Sequence, residues 1–225
     1  MLKEIVSKEY NISCSEIETI PNMIEIKDFV CNLKHPQKDR SILYIGSLEE
    51  RKGVLVLAEA YKKIKEIIPS ASIYFIGRDT NRNHKGISTQ KYIGHILKEC
   101  SNVHFIPHIP NDKVFEYMVK ANVVVFPSLY ENFPYVVLEA MNCGCAIVGS
   151  QNGGMKEIIE ENVSGLLYNP PFVHSLSDNI IKVLLNDRLA DDLGKNATQH
   201  IRKFSTQNII KKQIDYYKRI IDSKL

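Results

Sequence analysis

The chain has 225 residues, 44% hydrophobic and 24% charged, ordinary globular proportions that suit one large α/β domain or two small ones. Its formal net charge of +3 is too small to argue for nucleic acid, and basic residues are not interleaved with aromatics as a stacking surface requires. No run of about 18 apolar residues is present to span a bilayer.

The start, MLKEIVSKEYNIS, has no apolar run suited to a secretory leader, so a soluble or at most peripheral protein is expected, and the cysteine usage favours the cytoplasm. The five cysteines (Cys14, Cys31, Cys100, Cys143 and Cys145) form no C-x-x-C pair. Their odd number suits buried, reduced thiols better than a disulfide framework or a zinc site.

In chain order, LKEIVSKEYN predicts a helix, SEIETIPN a strand, and the polar KHPQKD a connector. From residue 41 a cycle begins. SILYIG is a strand; GVLVLAEAYKKIKEIIP is a helix with Val54, Leu57, Ala58, Tyr61, Ile64 and Ile68 on one face, stopped by Pro69. ASIYFIG, NVHFIP, NVVVFPS and CAIVGS are further strands, separated by helices at STQKYIGHILKEC, NDKVFEYMVKA and PYVVLEAMNCG. GMKEIIEE is a short helix, SGLLY a short strand, and helices fill most of 172–222. Strands alternating with helices imply right-handed βαβ units and a parallel sheet covered on both faces: an α/β, doubly wound, Rossmann-like domain.

Ligands of such sheets sit beyond the carboxyl ends of the strands. After the first strand of the cycle comes GSLEERKG, where Gly46 permits a tight turn and Arg51 and Lys52 precede Gly53 and a helix start. Two cations beside a helix N-terminus suit an anion, although a solvated RK loop reads the same way. No G-x-G-x-x-G, P-loop, D-x-D or metal-spaced cluster occurs, so protein cations and backbone amides would have to neutralise any bound diphosphate.

After the fourth strand, ENFPYVVLEAMNCG sets Glu131 and Glu139 either side of an apolar helix start. Pro134 suits the first helical position and Gly144 the end. Both acids can then border one cleft, where ionised acceptors suit the hydroxyls of a ribose or sugar ring. A structural ion pair or a solvated glutamate is the alternative reading of the same spacing.

Taken together, IGSLEERKG, YFIGRD and the run from VHFIPHIP to SGLLY resemble the nucleotide-binding half of GT-B glycosyltransferases, specifically the family 4 retaining group. The likeness runs from about residue 20 to 222 and rests on the lysine–glycine pair, E-x7-E, EAM.CG and GG..E in order. It implies the C-terminal half of a GT-B fold and a nucleoside diphosphate sugar as donor substrate, with no cofactor and no bound metal. By this resemblance Lys52 contacts the diphosphate, Glu131 faces the donor sugar as the second catalytic residue, and Glu139 accepts from the ribose. Asn132, Phe133 and Pro134 lie along the sugar and phosphate. Gly46, Ser47 and Arg51 belong to the diphosphate loop, and the base sits near Gly77 and the backbone of residues 104–107, including Phe105 and Ile106. The family usually has arginine where this chain has Ser47; Arg51 is the candidate replacement.

The resemblance further implies that residues 1–40 are the end of an acceptor domain plus a linker, 41–203 the donor domain, and 204–225 a helix returning to the other domain. The acceptor is then a saccharide or lipid-linked glycan, in surface polysaccharide or glycoconjugate assembly, and efficient transfer needs the N-terminal domain in cis or trans. A non-catalytic nucleotide-sugar-binding module is the rival. The segment from Lys195 onward carries +6 against −3 for the remainder, either a solvated helix face or a peripheral contact with the inner face of an anionic membrane.

Overall fold

The computed structural model describes residues 2–26 and 40–222. The expected connector KHPQKD and Cys31 lie outside those residues. Six parallel strands, β1 (Ser41–Ile45), β2 (Ser72–Ile76), β3 (Val103–Ile106), β4 (Val123–Phe126), β5 (Ile147–Ser150) and β6 (Leu166–Tyr168), form one sheet in the order β3-β2-β1-β4-β5-β6. This is a doubly wound, Rossmann-like sheet. The chain direction of winding reverses between β1 and β4, where Ile42 pairs with Val123 and Tyr44 with Val125.

The strands are short apolar runs because both faces are buried. Alternate residues divide between two cores. Ile42, Tyr44, Ile73, Phe75, Val123 and Val125 join one; Leu43, Val124, Phe126 and Ile147 join the other. The first core is closed by α2 (Val54–Ile67), α3 (Thr89–Ile96) and α7 (Val173–Leu184), the second by α4 (Asn111–Lys120), α5 (Tyr135–Asn142) and α6 (Met155–Ile158). The five residues expected on one face that fall within α2, and Ile68 at its C-cap, are all buried. α8 (Asp187–His200) starts at Asn186, whose side chain accepts from Leu189 N–H, and contributes Leu193 to one core and Ala197 to the other.

α1 (Leu2–Tyr10) matches the first expected helix, but the expected strand at SEIETIPN does not form. Ser13 and Glu16 instead make a reciprocal capping box around a 3-10 turn, Cys14–Glu16, which satisfies that backbone locally. Among the described residues, the extended backbone that follows pairs only at Ile24, which bridges Ser205 and exchanges bonds with Phe204 and Thr206 at the start of α9 (Thr206–Asp222). Pro134 is the N-cap of α5 rather than its first residue. Its ψ of 124° is extended and its carbonyl accepts from Val137 N–H, so the helix begins one residue later than expected.

Cys143 and Cys145 are buried free thiols as expected, Cys100 is half-buried, and Cys14 is exposed. Residue 14 follows a surface cap, which removes it from any core. Among the described residues, no helix is long and apolar enough to cross a membrane.

Candidate functional site

The loop after β1 ends in a 3-10 turn, Glu50–Lys52, closed by Gly53 at φ +72°. A Cβ at Gly53 would lie 1.9 Å from the Pro127 carbonyl oxygen, so only glycine lets this turn lie against the end of β4. The two loops are laced by Leu129 N–H donating to the Arg51 carbonyl at 2.9 Å. Lys52 is thereby delivered to Glu131: its Nζ donates to Glu131 Oε1, which also accepts from Ser128 Oγ at 3.2 Å. Arg51 Nη1 stands 3.8 Å from the same oxygen and donates to the Tyr130 carbonyl at 3.3 Å. Lys52 and Glu131 are 25% and 14% exposed, enough shielding to strengthen the pair beyond a surface bridge.

The GG..E segment props this loop from below. Gly153, at φ +71°, lies where a Cβ would meet the Glu131 carbonyl oxygen at 2.0 Å, and Gly154 N–H donates to that oxygen at 2.8 Å. Asn152 Nδ2 holds the Leu129 carbonyl at 3.1 Å, and Asn22 Nδ2 reaches from the N-terminal segment to the Phe133 carbonyl at 2.9 Å. Three separate segments therefore fix residues 129–133.

The start of the first loop is held differently. Tyr44 O–H donates to the Ser47 carbonyl and Ser47 Oγ to Glu49 Oε1, both at 2.8 Å, while Arg82 Nη1 donates to the same carboxylate oxygen at 3.1 Å. Burial alone would push the Glu49 carboxyl up, but the Ser47 hydroxyl and the Arg82 and Arg51 guanidiniums outweigh it and hold it below the ordinary carboxylate value. The Tyr44 hydroxyl goes the other way: burial first, then the charges of Glu131 and Glu49, keep it neutral.

At the carboxyl ends of β1 and β2 opens a cleft of about 460 Å³, walled in part by Gly46, Ser47, Gly77, Arg78, His108 and Glu139. Glu139 is the fifth residue of α5 and reaches it from the helix flank beside Val136. A second cavity of about 680 Å³ is lined by Asn132 and Phe133 together with Pro21 and Asn22 of the N-terminal segment.

The expected site residues thus fall into three groups. Gly46, Ser47, Gly77 and Glu139 border the first cleft; Arg51, Lys52 and Glu131 form an ion-paired cluster between the two loops; Asn132 and Phe133 face the second cavity, with Pro134 capping α5. Phe105 and Ile106 lie within β3, with Phe105 stacked on Phe75 at 5.3 Å and Ile106 packed on the second core. Their side chains pack on the two cores, which leaves only their backbone to meet a ligand, and His108 and Ile109 just past the strand line the cleft. Sequence reasoning passed over Arg78, His108 and Asn111. Arg78 was legible as a cation directly after a strand-ending glycine, at the carboxyl end of a strand where ligands of such sheets sit.

Among the described residues, no group of three or more His, Cys, Asp or Glu side chains is placed to hold a metal ion.

Comparison with known proteins places this geometry. The family Glycosyl transferases group 1 matches residues 26–200. A glycosyltransferase of Methanocaldococcus jannaschii is 29% identical over 231 aligned residues, covering 96% of this chain and 57% of that protein. The sucrose-phosphate synthase of Thermosynechococcus elongatus superposes with a TM-score of 0.78 at 24% identity, over 98% of this chain and 57% of the other. Anabaena HepE, solved in complex with UDP, gives a TM-score of 0.80 at 17% identity, over 96% and 61%. The chain therefore spans somewhat more than half the length of each of these three proteins.

Proposed function

Because this chain belongs to the glycosyl transferases group 1 family, we propose that it binds a nucleoside diphosphate sugar and forms the donor half of a retaining glycosyltransferase of the family 4 type. The observation that carries the reading is the meeting of Lys52 and Glu131 where the winding of the sheet reverses between β1 and β4, the place where open α/β sheets bind ligands. Glu139 stands in the adjacent cleft.

In this reading Glu139 accepts hydrogen bonds from the ribose, and Lys52 meets the diphosphate. As the anomeric C–O bond breaks, negative charge grows on the departing diphosphate, and a cation already in position lowers the energy of that state more than of the ground state. Glu131 performs two tasks in turn. It holds Lys52 in the free chain, and it faces the donor sugar once phosphate oxygens share the ammonium, where it orients the ring and offsets positive charge near it. The backbone of 132–134 lies along the sugar. No metal is required, since side-chain cations and backbone amides supply the charge.

The acceptor in this proposal is a saccharide or lipid-linked glycan held against a separate acceptor domain, as in surface polysaccharide or glycoconjugate assembly. The exposed Lys211, Lys212, Lys218 and Arg219 of α9 suit a peripheral contact with an anionic membrane at the cytoplasmic face.

Calorimetry with UDP, GDP, ADP and their sugars tests the donor reading, with Lys52→Ala and Glu139→Ala as controls. Binding of at least one diphosphate that both substitutions weaken is the expected result. No binding at millimolar concentration by the wild-type chain sinks it.

A further inference from the structure

We infer that Arg78 is the second cation on the donor diphosphate, taking the place the first loop leaves without charge at Ser47; the inference rests on the donor reading above. Arg78 follows β2 directly and shares the 460 Å³ cleft with Gly46, Ser47 and Glu139. Its backbone is locked to the first loop, since Leu48 N–H donates to the Arg78 carbonyl at 2.9 Å. At the preceding residue, a Cβ on Gly77 would lie 1.9 Å from the Gly46 carbonyl oxygen. The root of the arginine is therefore fixed beside Ser47, and its exposed side chain borders the cleft.

The other cations nearby are engaged. Arg51 stands 3.8 Å from both Glu49 and Glu131 and donates to the Tyr130 carbonyl, Arg82 is bound to Glu49, and Lys52 to Glu131. The Ser47 hydroxyl donates to Glu49. Among the described residues no carboxylate pairs with the Arg78 guanidinium, so its five N–H donors are available to phosphate oxygens. Charge orders the ligand across the cleft: Glu139 repels phosphate and suits hydroxyls, whereas Arg78 attracts phosphate and offers the ribose nothing of comparable strength. Arg51, the replacement suggested by sequence order, is the weaker candidate because moving it to phosphate would strip charge from two carboxylates.

Calorimetry on wild type, Arg78→Ala, Arg78→Lys and Arg51→Ala, using UDP, GDP and ADP and competition by the matching nucleosides, decides the point. For the diphosphate that binds, Arg78→Ala should weaken affinity about tenfold or more, the loss of one or two charge-assisted bonds. It should leave nucleoside affinity within about twofold, since that ligand carries no phosphate for it to meet. Arg78→Lys should recover part of the loss, Arg51→Ala should lose less than Arg78→Ala, and the gap to wild type should narrow as salt is raised. An unchanged diphosphate affinity in Arg78→Ala, or an equal loss for nucleoside and diphosphate, overturns the assignment. Absence of binding by wild type to all three diphosphates overturns the donor reading itself, and is distinguished because it precedes any substitution.

Discussion

Lys52 and Glu131, 79 positions apart in sequence, are joined by a hydrogen-bonded ion pair between the loops that follow β1 and β4. Their contact closes the seam at which the sheet reverses its winding. Each single replacement, Lys52→Met or Glu131→Gln, should cost about 1–3 kcal/mol of stability, because the partner is left mostly shielded and without its opposite charge. The double replacement should cost less than the sum of the two. Chemical denaturation of the four proteins measures this coupling, and strict additivity would mean that the pair contributes nothing beyond its separate residues.

Glu139 borders the cleft from the flank of α5. Replacing it with alanine should weaken nucleoside and nucleoside diphosphate alike by about 10- to 100-fold, since ribose hydroxyls lose a charged acceptor worth about 1.5–3 kcal/mol. Calorimetry with both ligands reads this directly. A loss confined to the diphosphate would move Glu139 away from the ribose.

Gly153 supports the Glu131 loop at a distance no side chain tolerates, with φ +71° and a Cβ position 2.0 Å from the Glu131 carbonyl oxygen. Gly153→Ala should therefore destabilise by about 2 kcal/mol or more, combining a left-handed backbone with a clash against main chain. It should also weaken donor binding by shifting Glu131. Thermal melts and calorimetry on the same sample check both; a wild-type melting temperature would show that the turn has room to give.

Glu49 supplies a pH dependence. Its carboxyl is held below the ordinary value despite burial, chiefly through the Ser47 hydroxyl and the Arg82 and Arg51 guanidiniums. The folded state thus binds that proton less readily than the unfolded chain. Its contribution to stability is full above the unfolded value of about 4.3 and is lost as pH falls through the lower folded value. Wild type should lose melting temperature more steeply than Glu49→Gln below about pH 4.3. Parallel slopes would show that Glu49 is not held charged by its partners.

Much of the fold was legible because burial on two faces leaves a plain trace. Runs such as VVVF and IVGS, bounded by turn residues and separated by amphipathic stretches, describe a parallel sheet without reference to any partner strand. The inward residues of α2 and its C-cap Ile68 were readable for the same reason: helical periodicity is a local property. The segment 15–22 was misread because its alternation resembles a strand, while the Ser13–Glu16 capping box and the absence of a neighbouring strand among the described residues made a turn and an extended stretch instead.

The sequence by itself determined the strand and helix order, the glycines at the loop turns, and the chemical character of the residues after each strand. Tertiary structure alone decided who meets whom. That Lys52 pairs with Glu131, that Arg51 turns to two carboxylates, that Phe105 and Ile106 pack on the two cores, and that Arg78 lines the cleft all depend on β1 lying between β2 and β4. Strand order is set by packing of whole helices across the sheet. No local pattern encodes which loops that packing brings together.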